Sequence, residues 1–435
     1  NAAWSWRSCF SHQTIHRPEK TLLQNYIFYE SFHGSLFGGN PYALFLYLYK
    51  NKDFQNFKHV IAIEDIKNPI IKPYLKDPKV IIVKSSSKKY IKYLESCKYI
   101  INNVSFKPAY VKKEGQIYIY TWHSTLLKSL GSHGNHVWES RTINRNMLNS
   151  DYFISPNKYT EKLLLEAYYL DDVYNKPICD LGYPRNDFIF NSDKQKLRTK
   201  LGVKGNEKII LYAPTWRGEI IAPKNMVDKF IEYYEEIKKN IDINYKVFLK
   251  LHNMVYKYIE EKHKKYLAPF DIDTNQLLAV SDILISDYSG IMFDYLNTNN
   301  PIILFTFDRE EYEKEQGKFY IKLEDIPSTI CNTVEEVVNA INNIDVIQLK
   351  LKKKYNEFKN KIAYSENGNS CKNVCDVIFK HKKSNNVYQQ KLSKREKILI
   401  APGYLIDEKK LQKFIQEINE LNTKKYQITI LFHYQ

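Results

Sequence analysis

The stretch Ser281-Asp-Ile-Leu-Ile-Ser-Asp-Tyr-Ser-Gly-Ile-Met-Phe-Asp-Tyr295 decides how this chain is expected to fold. Its apolar centre, Ile283–Ile285, is typical of a short strand buried in a parallel sheet. The next five residues, Ser286-Asp-Tyr-Ser-Gly290, have the chemistry of a turn and a helix N-cap, and apolar residues then recur at helical spacing. A strand that enters a helix through such a turn leaves free N–H groups and hydroxyls, which suit a phosphate. An ordinary capped turn has the same pattern, so both interpretations stay open.

Short apolar runs alternate with helical stretches on both sides of this segment. Helices are predicted, for example, at Pro41–Lys50, Lys88–Ser96 and Val227–Ile237, with another from Tyr256. The predicted strands are Tyr26–Tyr29, His59–Ile63, Val80–Val83, Tyr99–Ile101, Ile117–Tyr120, Tyr152–Ile154, Ile209–Ala213, Lys246–Leu251, Ile283–Ile285 and Ile302–Phe305. This alternation favours an α/β fold with mostly parallel sheets that are covered by helices on both faces.

The composition indicates a globular protein with more than one domain and an anionic partner. A chain of 435 residues exceeds one ordinary hydrophobic core, and its 43% hydrophobic residues exclude global disorder. The net charge of +16 suits a nucleic acid, an anionic membrane or a phosphorylated substrate. Because no arginine-rich tract or zinc-finger spacing is present, we expect no nucleic-acid partner. No apolar run reaches the ~18–20 residues that a membrane span requires.

The six cysteines are scattered, which argues against a metal centre. Cys371 and Cys375 lie four residues apart, one helical turn, rather than at the two-residue gap of a zinc knuckle. We therefore interpret the cysteines as reduced thiols of a cytosolic protein. No carboxylate cluster of the kind that holds magnesium stands out either. We expect neither a cofactor nor an obligatory protein-held metal.

Candidate catalytic residues follow the predicted strands. In Thr121-Trp-His-Ser-Thr-Leu-Leu-Lys128 a strand ends at Thr121, and His123 precedes a helix that is predicted to open near Thr125. A histidine at such a tip faces a cleft and titrates near neutral pH, as a general base must. A capping or packing histidine is the alternative.

The second half of the chain has similar strand ends. Ala213-Pro-Thr-Trp-Arg217 brings an arginine to the edge of the sheet, where its guanidinium suits a bidentate grip on a phosphate. His252 follows the next strand, in Leu249-Lys-Leu-His-Asn253, although a buried structural histidine remains the alternative. Arg185, in the turn Leu181-Gly-Tyr-Pro-Arg-Asn-Asp187, either faces phosphates of an acceptor or pairs with an acid.

The first predicted strand ends in a glycine-rich loop, Glu30-Ser-Phe-His-Gly-Ser-Leu-Phe-Gly-Gly-Asn-Pro41. Open α/β sheets bind ligands at the carboxyl ends of their strands, so this loop is a candidate ligand site. It lacks the G-x-G-x-x-G spacing and therefore does not indicate a dinucleotide.

Taken together, these motifs resemble those of the CDP-glycerol glycerophosphotransferase family, whose members build teichoic acids and related capsular polymers in bacteria. The resemblance covers about residues 24–380, in five or six separate motifs in the right order. The chain departs from the family pattern at five positions: Ser124 stands for glycine, Leu126 and Asn253 stand for proline, Gly290 replaces the second serine of Asp-Tyr-Ser-Ser, and Asn367 stands where the family often has aspartate.

The resemblance implies a glycosyltransferase-B-like architecture, in which two Rossmann-like, doubly wound domains face a cleft. Residues 21–195 would form the acceptor domain and residues 196–380 the domain that holds the CDP-activated donor. Residues 1–20 are interpreted as a tail or an upstream linker, and residues 381–395 as a further linker. Residues 396–435 look like the truncated start of another α/β domain, because one β-α-β unit cannot form its own core.

The implied function is an enzyme that transfers glycerol phosphate from CDP-glycerol to a hydroxyl of a growing polymer and releases CMP. His123 would be the general base, whereas His252, Arg217 and the 286–290 turn would stabilise charge. The complete predicted site is His123 and His252 as catalytic residues, Thr215, Arg217, Ser286, Asp287, Ser289 and Gly290 on the donor phosphates, and Ser31, His33, Lys128 and Arg185 on the acceptor side. The acceptor would be an anionic polyol phosphate or a lipid-linked primer, and the enzyme would lie peripherally on the anionic inner face of the plasma membrane.

Three alternatives remain open to a chain with these motifs. CDP-ribitol could replace CDP-glycerol, since no residue of the motifs distinguishes three carbons from five. A nucleotide-sugar glycosyltransferase would share the fold. A non-catalytic polyanion-binding protein would share the charge, but it would not need histidines at two strand ends.

Overall fold

A computed structural model describes residues 21–107, 110–134, 140–218, 223–392, 394, 396–400, 408–421 and 425–430. The chain divides into two compact units, one within Asn1–Gln389 and the other within Gln390–Gln435. The predicted tail at residues 1–20 lies outside the described residues.

The first unit contains fifteen strands and thirteen α-helices among the residues described. Its strands are β1 (Leu23–Glu30), β2 (Lys58–Ile63), β3 (Val80–Lys84), β4 (Cys97–Asn102), β5 (Ile117–Tyr120), β6 (Tyr152–Ser155), β7 (Ile178–Asp180), β8 (Lys208–Tyr212), β9 (Arg217–Gly218), β10 (Pro223–Lys224), β11 (Tyr245–Leu249), β12 (Ile283–Ser286), β13 (Ile302–Phe305), β14 (Thr329–Cys331) and β15 (Val387–Tyr388). Its helices are α1 (Gly39–Lys50), α2 (Lys88–Ser96), α3 (Ser140–Asn149), α4 (Lys158–Ala167), α5 (Asp187–Asn191), α6 (Lys194–Lys200), α7 (Val227–Asn240), α8 (Thr274–Val280), α9 (Ile291–Tyr295), α10 (Arg309–Gln316), α11 (Val334–Asn342), α12 (Ile344–Ile362) and α13 (Ser370–Ile378).

The larger sheet has eight strands in the order β15-β7-β6-β5-β4-β1-β2-β3. All neighbours are parallel except β15, which runs antiparallel to β7. The order 3-2-1-4-5-6-7 is that of a doubly wound Rossmann-type sheet, and its direction reverses between β1 and β4. Such sheets bind ligands at this reversal, just outside the carboxyl ends of the strands.

The smaller sheet has five parallel strands in the order β11-β8-β12-β13-β14. It is also doubly wound, and its direction reverses between β8 and β12. Residues 281–295 form β12, the turn after it and α9, so this stretch lies at the second reversal.

Both sheets are buried on both faces. In β1, Ile27 and Tyr29 belong to one apolar cluster, whereas Phe28 belongs to the cluster on the opposite face. In β8, Leu211 and Tyr212 likewise point to opposite clusters. Successive side chains of a strand alternate between faces, so a continuous apolar run is what a sheet covered on both sides requires. The predicted α/β fold with parallel sheets is confirmed.

The chain returns to the larger sheet after it has completed the smaller one. Helix α13 buries Val374, Cys375 and Ile378 in the same cluster as Ile27 and Ile119 of the larger sheet, and β15 then extends the edge of that sheet. The end of the predicted donor domain is therefore packed on the first sheet. The predicted boundary near residue 195 stays a prediction.

Two predicted helices are replaced by other structures. No helix opens near Thr125, because Ser129 N donates to Lys318 O and Tyr320 N donates to Leu127 O, so the backbone pairs with a distant segment instead. The helix predicted from Tyr256 is replaced by two short 3-10 helices, Asn253–Tyr258 and Glu261–Tyr266.

The second unit contains β16 (Glu396–Ile400), α14 (Glu408–Asn419) and β17 (Tyr426–Ile430), and its two strands are parallel. Within the described part of the chain, no helix combines the length and apolarity that crossing a membrane demands.

Candidate active site

His123 follows β5 and lies at the cleft between the two sheets. Its Nδ1 is 3.0 Å from the carbonyl oxygen of Asn103, which follows β4. A carbonyl can only accept, so Nδ1 carries the proton and Nε2 keeps its lone pair. Burial, opposed by the bond to Asn103 and helped by the charges of Arg185 and His33, lowers the pKa of His123 to about 4. The ring is therefore neutral at pH 7, with Nε2 as the basic nitrogen.

His252 follows β11 and has the opposite tautomer. Its Nδ1 accepts a hydrogen bond from Met254 N at 3.3 Å, which leaves the proton on Nε2. The side chain is exposed to the cleft, yet desolvation by the surrounding protein lowers its pKa to about 3, helped by the charges of Lys128, Lys250 and His123. The Trp216 ring links the two segments, since it lies 6.5 Å from the His252 ring and 5.6 Å from Nζ of Lys128, which follows His123 in the chain. The cleft thus holds one imidazole acceptor and one imidazole donor.

Lys128 reaches from the His123 segment to the second half of the chain. Its Nζ donates to Tyr312 Oη at 2.8 Å and lies 5.6 Å from the centre of the Trp216 ring. Burial lowers its pKa to about 8, opposed by the carboxylate of Asp287. Lys128 was predicted on the acceptor side, whereas its contacts are with residues of the second half, where the donor was predicted.

Arg217 is buried and fully engaged with two carboxylates. It lies 3.0 Å from Asp287 and 2.6 Å from Asp308, and it also donates to the carbonyl oxygen of Thr215. Burial opposes its charge, but the two carboxylates raise the pKa of Arg217 above its usual range. The predicted grip on a phosphate stays a prediction. The geometry shows a buried network of ion pairs in which Arg217 connects β9, the turn after β12 and the start of α10.

Thr215 and Asp287 belong to the same network of ion pairs and hydrogen bonds. Both the N–H and the hydroxyl of Thr215 donate to the Asp287 carboxylate, the former at 2.9 Å and the latter at 2.5 Å. Asp287 also accepts from Tyr288 N at 2.7 Å. The oxygens of this carboxylate are therefore occupied by protein donors, so Asp287 and Thr215 hold the two loops together.

The remaining residues of the 286–290 turn differ in their exposure to solvent. Ser286 is buried and donates to Ala213 O at 2.8 Å, whereas Ser289 is half-buried and accepts from Ile291 N at 3.3 Å. Gly290 is half-buried and lies directly against Ser124. Ser289 and Gly290 are thus the members of the predicted turn that a ligand can reach.

The glycine-rich loop after β1 supports His123 from the other side. Ser31 is buried and closes the loop by donating to Gly38 O at 2.9 Å. Phe32 and His33 have left-handed backbones, with φ of 48° and 56°. Such a conformation costs non-glycine residues energy and is concentrated at functional sites. His33 is exposed and its pKa is lowered by desolvation, so it can face a ligand near His123.

Arg185 pairs with an acid, one of the two alternatives left open by the sequence. Its guanidinium lies 2.8 Å from Asp294 of α9, and it also donates to the carbonyl oxygen of His123. Both charged groups are buried. Arg185 therefore positions the backbone of His123 against the second half of the chain.

Sequence reasoning missed Asn103, Lys250, Asp294 and Asp308. Asn103 follows the apolar run of β4, and Lys250 follows that of β11, so position after a strand was a usable signal for both. Asp294 and Asp308 gave none, because their partners are more than 90 residues away. Among the described residues, no group of three or more His, Cys, Asp or Glu side chains is arranged to hold a metal.

Two doubly wound sheets, each with a histidine directly after one of its strands, define a protein of the glycosyltransferase-B-like fold class. The model of the CDP-glycerol:poly(glycerophosphate) glycerophosphotransferase family matches residues 11–380. The chain belongs to this family, as the sequence motifs predicted.

Individual relatives agree with this assignment. A teichoic acid poly(glycerol phosphate) polymerase of Bacillus spizizenii is 30% identical over 380 residues, which are 83% of this chain and 93% of that protein. One of Staphylococcus epidermidis is 29% identical over 388 residues, which are 83% of this chain but only 51% of that protein. A structure of the wall teichoic acid polymerase TagF, a histidine variant with CDPG, has a TM-score of 0.70 at 25% identity, covering 83% of this chain and 89% of that one.

Proposed function

We propose that this protein transfers glycerol phosphate from CDP-glycerol to the terminal hydroxyl of a growing, teichoic-acid-like polymer. The observation that carries the proposal is the pair of neutral histidines with opposite tautomers in one cleft. Phosphoryl transfer to a hydroxyl needs one group that removes the proton and another that donates to the developing charge.

In the proposed reaction the acceptor oxygen attacks the β-phosphorus of CDP-glycerol. Its proton passes to Nε2 of His123, a phosphodiester forms, and the bond to the bridging oxygen breaks to release CMP. The pyrophosphate of the donor is anionic and therefore stabilises the imidazolium form. Its arrival raises the pKa of His123 from about 4 towards neutrality, which strengthens the base only when donor is bound.

His252 donates from Nε2 to the transferring phosphoryl group or to the leaving CMP. Lys128 and Lys250 supply positive charge in the same part of the cleft, since both lower the pKa of His252. Lys128 is held by Tyr312, and Lys250 Nζ donates to Tyr256 Oη at 2.5 Å. Fixed cations at a phosphoryl group stabilise its transition state without reorganisation.

A donor screen with the full chain tests this proposal. CMP release is measured with CDP-glycerol, CDP-ribitol and a UDP-sugar, each with and without a short poly(glycerol phosphate) acceptor. We expect acceptor-dependent CMP release from CDP-glycerol, with one added glycerol phosphate per CMP by mass spectrometry. Faster release from CDP-ribitol, or sugar transfer from the UDP-sugar, would replace CDP-glycerol as the donor.

We also propose that the protein lies peripherally on the anionic inner face of the plasma membrane, where a lipid-linked acceptor would be found. The net charge of +16 supports this, as does α12, which exposes Val346 and Leu349 close to a run of lysines. Sedimentation with phosphatidylglycerol vesicles should retain the protein at low salt and release it at ~0.5 M salt, because electrostatic contacts are screened. Equal retention on neutral phosphatidylcholine vesicles would contradict an electrostatic contact.

A further inference from the structure

The contact between Ser124 and Gly290 joins two positions at which this chain departs from its family pattern. The family pattern has glycine at the first position and serine at the second, and here the two residue types are exchanged. The two positions are 166 residues apart in the chain.

The backbone at residue 290 does not require glycine. Its φ of −66° and ψ of −6° are those of a right-handed helical residue, which any L-amino acid adopts. Space requires it instead: a Cβ added to Gly290 would lie 1.9 Å from Ser124 Oγ and 2.7 Å from Thr125 O. The Ser124 side chain is therefore the nearest obstacle to a side chain at position 290, and the backbone carbonyl of Thr125 is a second one.

We propose that residues 124 and 290 form one reciprocal pair, in which Ser124 supplies the phosphate-binding hydroxyl that a serine at position 290 would otherwise supply. The hydroxyl oxygen of Ser124 lies 1.9 Å from the Cβ position of residue 290, so the two positions would present a hydroxyl to the same part of the cleft. The cleft thus still contains one hydroxyl at this point, and residue 124 supplies it in place of residue 290. This inference rests on the proposed function, since the ligand is a phosphate oxygen of the CDP-activated donor.

The surroundings of Ser124 suit this role. It is half-buried and directly follows His123 in the chain. Its Oγ donates to Thr125 O at 2.9 Å, a neighbouring carbonyl that rotation about the Cβ–Oγ bond can exchange for a ligand oxygen. A hydroxyl is a good donor to a phosphate oxygen, and such charge-assisted bonds are stronger than neutral ones.

Four variants separate the steric part of the pair from the hydroxyl. They are Ser124→Gly, Gly290→Ser, the double variant Ser124→Gly/Gly290→Ser and the double variant Ser124→Gly/Gly290→Ala. Ser328→Gly, a half-buried serine away from the cleft, is the control for the backbone cost of a new glycine. Each full chain is compared by thermal unfolding, by calorimetric titration with CDP-glycerol and by CMP release.

We expect Ser124→Gly to keep its Tm close to that of Ser328→Gly but to bind CDP-glycerol about ten- to a hundred-fold more weakly, because one charge-assisted bond is lost. Gly290→Ser should lower both Tm and kcat, because its side chain meets Ser124. Both double variants should regain only part of the lost Tm, because the new Cβ no longer meets Ser124 Oγ but the backbone carbonyl of Thr125 must still move. Only the variant that carries Gly290→Ser should regain donor affinity, to within about five-fold.

Two results would overturn the pair. One is a double variant whose losses are the sum of the single losses, because independent positions add. The other is equal donor affinity in the two double variants, which would show that the hydroxyl is irrelevant. Absence of CMP release from CDP-glycerol by the unaltered chain would instead contradict the proposed function, whereas the Tm values would still decide whether the two positions are coupled.

Discussion

Replacing Arg217 with alanine should destabilise the fold before it affects donor binding. Arg217 is buried between Asp287, which is buried, and Asp308, which is partly buried, so its removal leaves both carboxylates without their cation. Breaking one buried ion pair in this way costs about 3–5 kcal/mol. Asp287 keeps the donors of Thr215, whereas Asp308 keeps only the hydroxyl of Tyr288, so the loss is concentrated at Asp308 among the contacts described.

We therefore expect a loss of about 4 kcal/mol, which for a chain of this size corresponds to a Tm lower by roughly 4–5 °C. Arg309→Ala is the matched control, because that neighbouring arginine is partly exposed in its pairs with Glu313 and Glu324 and should cost no more than about 1 kcal/mol. The double variant Arg217→Ala/Asp308→Asn should regain part of the loss, because it removes the uncompensated charge.

The assay is differential scanning calorimetry of the full chain, followed by titration with CDP-glycerol well below the Tm. An Arg217→Ala protein with an unchanged Tm and a tenfold higher Kd would refute this reasoning. It would show that the guanidinium grips the donor phosphate, as its position after a strand first indicated.

Three further predictions concern the cleft and the contact between the two halves. His123→Ala should lower kcat by about 10²–10⁴ and still bind CDP-glycerol in calorimetry, because a base acts on the acceptor; loss of donor binding would reverse the roles of the halves. His252→Ala should lose both rate and donor affinity, and an unchanged Kd and kcat would remove it from the site. Burial raises the pKa of Glu366 to about 7, so the folded state holds a proton that the unfolded state releases, and stability from this group is lost as pH rises from about 4.5 to 7. Glu366→Gln should gain up to about 3 kcal/mol relative to the unaltered protein across this window in urea titrations, and a pH-independent difference would contradict it.

The strands were predictable because they are buried on both faces. A continuous apolar run such as Ile302–Phe305 has few other structures open to it, and its predicted bounds are those of β13. The position of His123 and His252 at strand ends followed from the same runs, since parallel strands deliver their carboxyl ends to one edge of a sheet.

What the sequence did not show depends on contacts between distant segments. The segment after His123 has the composition of a helix start, but its backbone pairs with residues 318–320 instead. Arg217 and Arg185 have the chemistry of phosphate ligands, but Asp308 and Asp294 arrive from elsewhere in the chain and neutralise them. An unpaired arginine and a paired one cannot be distinguished until the fold has brought their partners together.

The return of α13 and β15 to the larger sheet determines how this protein can be divided into fragments. A fragment that ends near residue 195 would contain most of that sheet but would expose the apolar surface that Val374, Cys375 and Ile378 cover, and it would leave the edge of β7 unpaired. Unpaired strand edges recruit other chains, so such a fragment should aggregate during expression. A fragment that keeps residues through Gln389 retains both elements. Neither half can therefore be exchanged with that of a relative unless α13 and β15 are transferred together with the larger sheet.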